Sequence, residues 1–269
     1  MVSGQLHNKG SGVASEELGL LQNNTGANDG SHADEVSGNS HHRGTTEHCT
    51  CDQAERVAIS GSGNVAIFAC QKAQELGARV ITMSDSNGCI YDPEGIRLDV
   101  VKDIKLRRRG RIREYAQLVP GSEFRSDFRD LWSVPCDVAL PCATQNEIDA
   151  ETARRIVRGG AMALAEGANM PSTPAAIEVL REGGVLFAPA KAANAGGVAV
   201  SGLEMCQNSM RLAWTFDEVD QRLHQIMLDI FHNIYDASVE YGVPGNLLDG
   251  ANIAGFRKVA DAMLAQGVC

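Results

Sequence analysis

Gly61, Ser62, Gly63, Asn64, Val65 and Ala66 follow a β-branched run, ERVAIS, and open an amphipathic run that starts at Asn64. Their pattern is G-x-G-x-x-A. The first glycine permits a tight turn. The second lets backbone amides close on a pyrophosphate, and the small last residue lets the helix pack on the strand. Free N–H groups and the positive end of that helix suit phosphate oxygens. Such a motif alone is a weak signal. Here strand, turn, helix and a second strand at 78–85 come in order, which makes it specific for a dinucleotide.

Asp85 closes that second strand, 24 residues after Gly61. An acidic side chain at this place bonds the adenosine ribose hydroxyls and indicates NAD. A basic cluster argues otherwise. Lys105, Arg107, Arg108, Arg109, Arg111 and Arg113 crowd into IKLRRRGRIREY. In an acidic chain these cations can hold a 2′-phosphate, with Ser84 or Ser86 donating to it. The balance favours NADP over NAD, and a solvated basic helix face is the competing reading.

Alternating elements must position these residues. Helices are expected at 64–78, from about 97 to 118, at 146–160 and at 173–184, with strands at 55–60, 78–85, 136–141, 161–167 and 185–190. Thr173 before Pro174 is a helix start, and Gly183-Gly184 a stop. Alternation with short turns predicts an α/β, doubly wound parallel sheet of Rossmann-like form. Further helices are expected at 197–212, 215–241 and 252–266, outside the sheet; in the second of them Val219, Leu223, Ile226, Ile230 and Ile234 recur at helical spacing.

Residues 1–55 differ in kind. They contain no aromatic residue, two basic and eight acidic residues, and five of the seven histidines. This composition predicts a disordered tail, with the folded domain at 56–269. HHRGTTEHCTC within it lacks the ligand spacing of a zinc site, so no metal is expected. Eight scattered cysteines do not form a disulfide framework, and a cytoplasmic location is expected. The net charge of −10 argues against nucleic acid, and no run is apolar enough to span a membrane.

Longer stretches carry a resemblance. SGSGNVA (60–66), SDSNG (84–88), LPCATQNE (140–147), AEGANMP (165–171), KAANAGGVAVSGLEMCQN (191–208) and GANIAGFRKVADAMLAQG (250–267) together resemble the hexameric glutamate dehydrogenases, above all the NADP-dependent type. The resemblance implies reversible oxidative deamination of glutamate to 2-oxoglutarate and ammonia, with NADP as cofactor. It implies that Gly61, Ser62, Gly63, Asn64 and Val65 bind the pyrophosphate and neighbouring ribose. Ser84, Asp85, Lys105, Arg108 and Arg111 would surround the adenosine ribose or its phosphate. Ala143, Thr144 and Gln145 would line the dinucleotide, Asn169 and Asn194 would face the nicotinamide ribose and ring, and Ser201 would reach a substrate carboxylate. Cys142 and Lys191 receive no chemical role.

The resemblance also implies what is not found. Substrate-binding lysines, a catalytic lysine and a catalytic aspartate belong to an N-terminal domain of that family, with a GGGKGG-like stretch that this sequence does not contain. General acids and bases must lie within hydrogen-bond reach of the reacting centre. No catalytic residue is therefore expected here. The chain is expected to be the dinucleotide-binding half of the enzyme, a truncated gene product or an inactive NADP-binding module. The family hexamer is not expected of it.

Overall fold

The computed structural model describes residues 54–267, so the tail expectation for 1–53 and the histidine-rich stretch lie outside the described residues. The sheet begins with β1 (Arg56–Ile59), whose side chains alternate between two faces. Val57 and Ile59 join one core with Ala66, Ile67 and Cys70 of α1 (Asn64–Glu75). Ala58 faces the other way, toward Trp132, Ile148, Ile156 and Leu180. A sheet covered on both faces needs buried apolar residues in both registers, and the strands supply them.

The chain continues through β2 (Arg79–Asp85), β3 (Gly88–Tyr91) and α2 (Leu98–Lys102), which runs into a π turn at Asp103–Arg107. A 3₁₀ turn at Ile112–Glu114 leads into α3 (Tyr115–Leu118), then β4 (Glu123–Arg125). After a 3₁₀ segment at Phe128–Ser133 come β5 (Val138–Leu140), α4 (Ala150–Arg158), β6 (Ala163–Ala165), α5 (Pro174–Glu182) and β7 (Leu186–Ala188).

The seven strands lie in the order β4-β3-β2-β1-β5-β6-β7. From β2 to β7 all pairs are parallel, as the alternation predicts. The sheet is nevertheless mixed, because β3 returns antiparallel on β2 and β4 antiparallel on β3. The chain leaves β1 toward β2 and comes back to β5 on the other side. Between β1 and β5 the strand order therefore reverses, and at such a switch point a crevice opens beyond the carboxyl ends of the strands.

Four helices follow: α6 (Ala190–Ala193), α7 (Ala195–Met210), α8 (Phe216–Glu240) and α9 (Leu247–Gln266). Thr215 and Glu218 form a reciprocal capping box that starts α8. The last helix begins five residues earlier than its apolar pattern suggests, because the Asn246 side chain caps it by accepting from the Asp249 amide at 3.2 Å. Val219, Leu223 and Ile234 are buried along α8 as its sequence predicts, but Ile226 and Ile230 are only partly buried, and Met227 and Phe231 take the inward positions beside them.

Candidate dinucleotide site

The glycine motif sits at the end of β1, on the switch point. Gly61 has φ +87°, a left-handed conformation, and a Cβ there would come 3.0 Å from the Cys142 carbonyl oxygen. Glycine is thus required by the protein's own geometry. Gly63 is different. Its φ is −82°, and a Cβ there would meet nothing within 4 Å. The fold leaves this position small and open in front of the start of α1, where no side chain caps the first amides. Asn64 and Val65 are exposed beside it, while Ser62 is buried. An uncapped helix start behind an open glycine fits a pyrophosphate.

Two hydroxyls fix the turn from below. The Gly61 amide donates to Ser84 Oγ at 2.8 Å. The Cys142 amide donates to Ser60 Oγ at 2.9 Å, and Ser60 Oγ donates to Glu147 Oε1 at 2.8 Å. Glu147 also accepts from the Ala143 amide at 3.2 Å. This buried carboxylate therefore holds the loop bearing Ala143, Thr144 and Gln145, whose residues are exposed next to the turn. Burial pushes the Glu147 carboxyl up to about 7, against the opposing pull of Ser60 and the loop amides.

The adenosine side departs from expectation at two residues. Ser84 is 2% exposed and its oxygen accepts from the Gly61 amide, so it braces the turn from within. Asp85 is also engaged inward. Its carboxylate accepts from the Asn87 amide at 2.8 Å, the Ile112 amide at 2.9 Å and Lys105 Nζ at 3.3 Å. Burial works to raise the Asp85 carboxyl, but these donors outweigh it and hold it below the usual carboxylate range. Arg111 donates to Ser86 Oγ at 3.1 Å, and both side chains are exposed. Arg108 bonds Glu114 and lies 3.9 Å from Asp103. Lys105, Ser86 and Arg111 thus gather at the end of β2, with Arg108 tied back to the same segment.

On the far side the loops after β5 and β6 are laced together: the Asn146 amide donates to the Met170 carbonyl and the Ile148 amide to the Pro171 carbonyl, both at 2.9 Å. The Gly167 and Ala168 amides both donate to the Pro141 carbonyl. Asn194 Nδ2 donates to Asn169 Oδ1 at 2.7 Å, so the two asparagines expected at the nicotinamide meet across 25 residues of chain. Ser201 joins none of these bonds; its hydroxyl donates to the Gly197 carbonyl one turn earlier in α7. Cys142 is buried, and burial raises its thiol far above the nucleophilic range. Lys191 donates to Asn252 on α9.

Comparison with known proteins identifies the family of the chain. Residues 31–267 match the family model described as Glutamate/Leucine/Phenylalanine/Valine dehydrogenase. The chain belongs to this family. The match begins upstream of the composition change at residue 55, in a stretch outside the described residues. The chain is 55% identical over 222 residues to the NADP-specific glutamate dehydrogenase of Escherichia coli, covering 79% of this chain and 48% of that protein. It is 51% identical over 217 residues to the glutamate dehydrogenase of Bacteroides thetaiotaomicron, covering 78% and 48%. Its fold matches the crystal structure of Plasmodium falciparum glutamate dehydrogenase with a TM-score of 0.77 and 42% identity, over 80% of this chain and 47% of that one. The chain spans about half the length of the relatives it matches. The residues that sequence motifs did not single out are Ser60, Glu147 and Glu166. Each sits within a motif quoted above, and for Glu147 and Glu166 a charged residue inside a strand-end motif was the available signal.

Proposed function

We propose that this chain is the NADP-binding half of a glutamate dehydrogenase. The observation that carries the cofactor reading is the state of Asp85. Its carboxylate already accepts from Lys105 and two backbone amides and its side chain is 8% exposed, which leaves little of it for a pair of ribose hydroxyls. Beside it stand the exposed Ser86–Arg111 pair and Lys105, a cationic and hydroxyl-bearing corner suited to a 2′-phosphate. The names of the relatives support the same cofactor, since several are NADP-specific glutamate dehydrogenases.

In this reading Gly61, Ser62, Gly63, Asn64 and Val65 hold the pyrophosphate. The loop with Ala143, Thr144 and Gln145 lies along the dinucleotide. Asn169 and Asn194 orient the nicotinamide ribose and ring, and Ser201 reaches a substrate carboxylate. Bound NADP supplies a hydride acceptor for the α-carbon of glutamate. The chain's residues bind and orient it; the reacting lysine and aspartate are proposed to lie outside this sequence. We also infer a reducing cytosol as its location, in keeping with the free buried cysteines Cys70, Cys89, Cys136 and Cys142. No helix of the described residues is long and apolar enough to cross a membrane.

Fluorescence titration with NADPH and NADH tests the reading. NADPH is expected to bind with at least about tenfold preference, equivalent to roughly 1.4 kcal/mol. Equal affinities would overturn the 2′-phosphate assignment.

A further inference from the structure

Glu166 follows β6 and is 4% exposed. Its two oxygens face two different segments. Oε1 accepts from the Ser172 amide at 3.1 Å, closing the loop that carries Asn169. Oε2 accepts from the Ala190 amide at 2.7 Å, at the first residue of α6, whose other end carries Asn194. One buried carboxylate therefore ties together the two segments whose asparagines meet at 2.7 Å. Asn194 Nδ2 also reaches the Ala168 carbonyl at 3.3 Å, within the loop that Glu166 closes.

We propose that Glu166 is a positioning residue, which sets the Asn169–Asn194 pair against the nicotinamide end of the dinucleotide. This rests on the cofactor reading above, which gives those asparagines their place. The choice of a carboxylate is chemically specific. Two backbone donors meet its two different oxygens, so in this arrangement both terminal atoms of the side chain must accept. A buried charge is tolerated only when so bonded. Glutamine keeps one acceptor and turns an NH₂ group toward the other amide, which then faces a donor. Strand pairing does not need this link, because β6 and β7 are already joined by their own register from Ala163↔Leu186 to Ala165↔Ala188. The carboxylate orders what lies beyond the strand ends.

The test compares two ligands on the same protein: NADPH, and adenosine 2′,5′-bisphosphate, which has the adenosine half and no nicotinamide. Glu166→Gln is expected to weaken NADPH about tenfold, the scale of one hydrogen bond to a charged group, and to leave the bisphosphate within about twofold, a change below roughly 0.5 kcal/mol. Combined with Asn194→Ala, it is expected to add little further loss, since both changes act on the same pair. Equal losses for both ligands, no loss for NADPH, or additive losses would overturn the proposal. Hydrogen exchange on the unaltered chain gives a second reading that does not depend on the variant folding. NADPH, and not the bisphosphate, is expected to protect the Ser172 and Ala190 amides; equal protection by both refutes the role of Glu166. An unaltered chain that binds neither ligand overturns the cofactor reading itself, and this inference with it.

Discussion

Asp85 shows how a residue's role depends on its neighbours. By position it is a ribose ligand; in the fold it is the anchor of a basic corner, bound by Lys105 and the Ile112 amide. Arg111 reaches out beside Ser86, while Arg108 is held by Glu114. Arg111→Ala is therefore expected to weaken NADP by several-fold more than NAD, and Arg108→Ala to have the smaller effect; equal losses of both cofactors would contradict the phosphate role. Glu147 carries a pH signature. Its folded pKa of about 7 lies above the ordinary 4.5, so between those values the folded chain keeps a proton that the unfolded chain has released. Stability accordingly falls as pH rises through that window and stays low above it, by an amount on the order of 3 kcal/mol at most. Asp85, with its pKa depressed, acts in the opposite sense and loses its contribution only as pH falls below the ordinary carboxylate range. Glu147→Gln is expected to flatten the melting-temperature profile between about pH 5 and pH 7; an unchanged slope would contradict the assignment. The glycine motif and the asparagines were legible because local spacing carries their chemistry. Glu147 and Glu166 were not, because their meaning comes from burial against residues distant in sequence.

Turns and strand ends carry the site at the scale of elements. The parallel strands and their helices could be read from apolar runs and glycine stops, and Thr173 does cap α5 as its pairing with Pro174 predicts. Strands β3 and β4 could not. GCIY and EFR are short, lie next to turn and charged residues, and find their partners only through the antiparallel registers Asp85↔Gly88 and Ile90↔Phe124. The two glycines of the motif should separate cleanly. Gly61→Ala forces a left-handed residue against the Cys142 carbonyl and is expected to destabilise the chain by about 1–2 kcal/mol or more. Gly63→Ala meets open space, so its melting temperature should hold while NADPH affinity drops on the order of tenfold. Loss of stability at Gly63, or full NADPH binding with alanine there, would count against the pyrophosphate site.

On the scale of the molecule, the sheet is covered on both faces, whereas among the described residues nothing covers the outer faces of α7 and α9. Phe256 is 73% exposed and Leu264 82%, with Val259 and Met263 along the same helix, α9, and Val198 and Met205 on α7. An apolar surface of this kind favours association in water. Light scattering is expected to show concentration-dependent self-association that Phe256→Glu with Leu264→Glu reduces, with NADPH affinity unchanged. The sequence indicated amphipathic helices here, but an apolar stripe does not reveal whether a neighbour covers it. We propose that the switch point between β1 and β5 binds NADP. Calorimetric titration of the chain with NADP tests it most directly. Saturable binding of one NADP per chain, competed by adenosine 2′,5′-bisphosphate, is the predicted result; no heat of binding at millimolar NADP would contradict it.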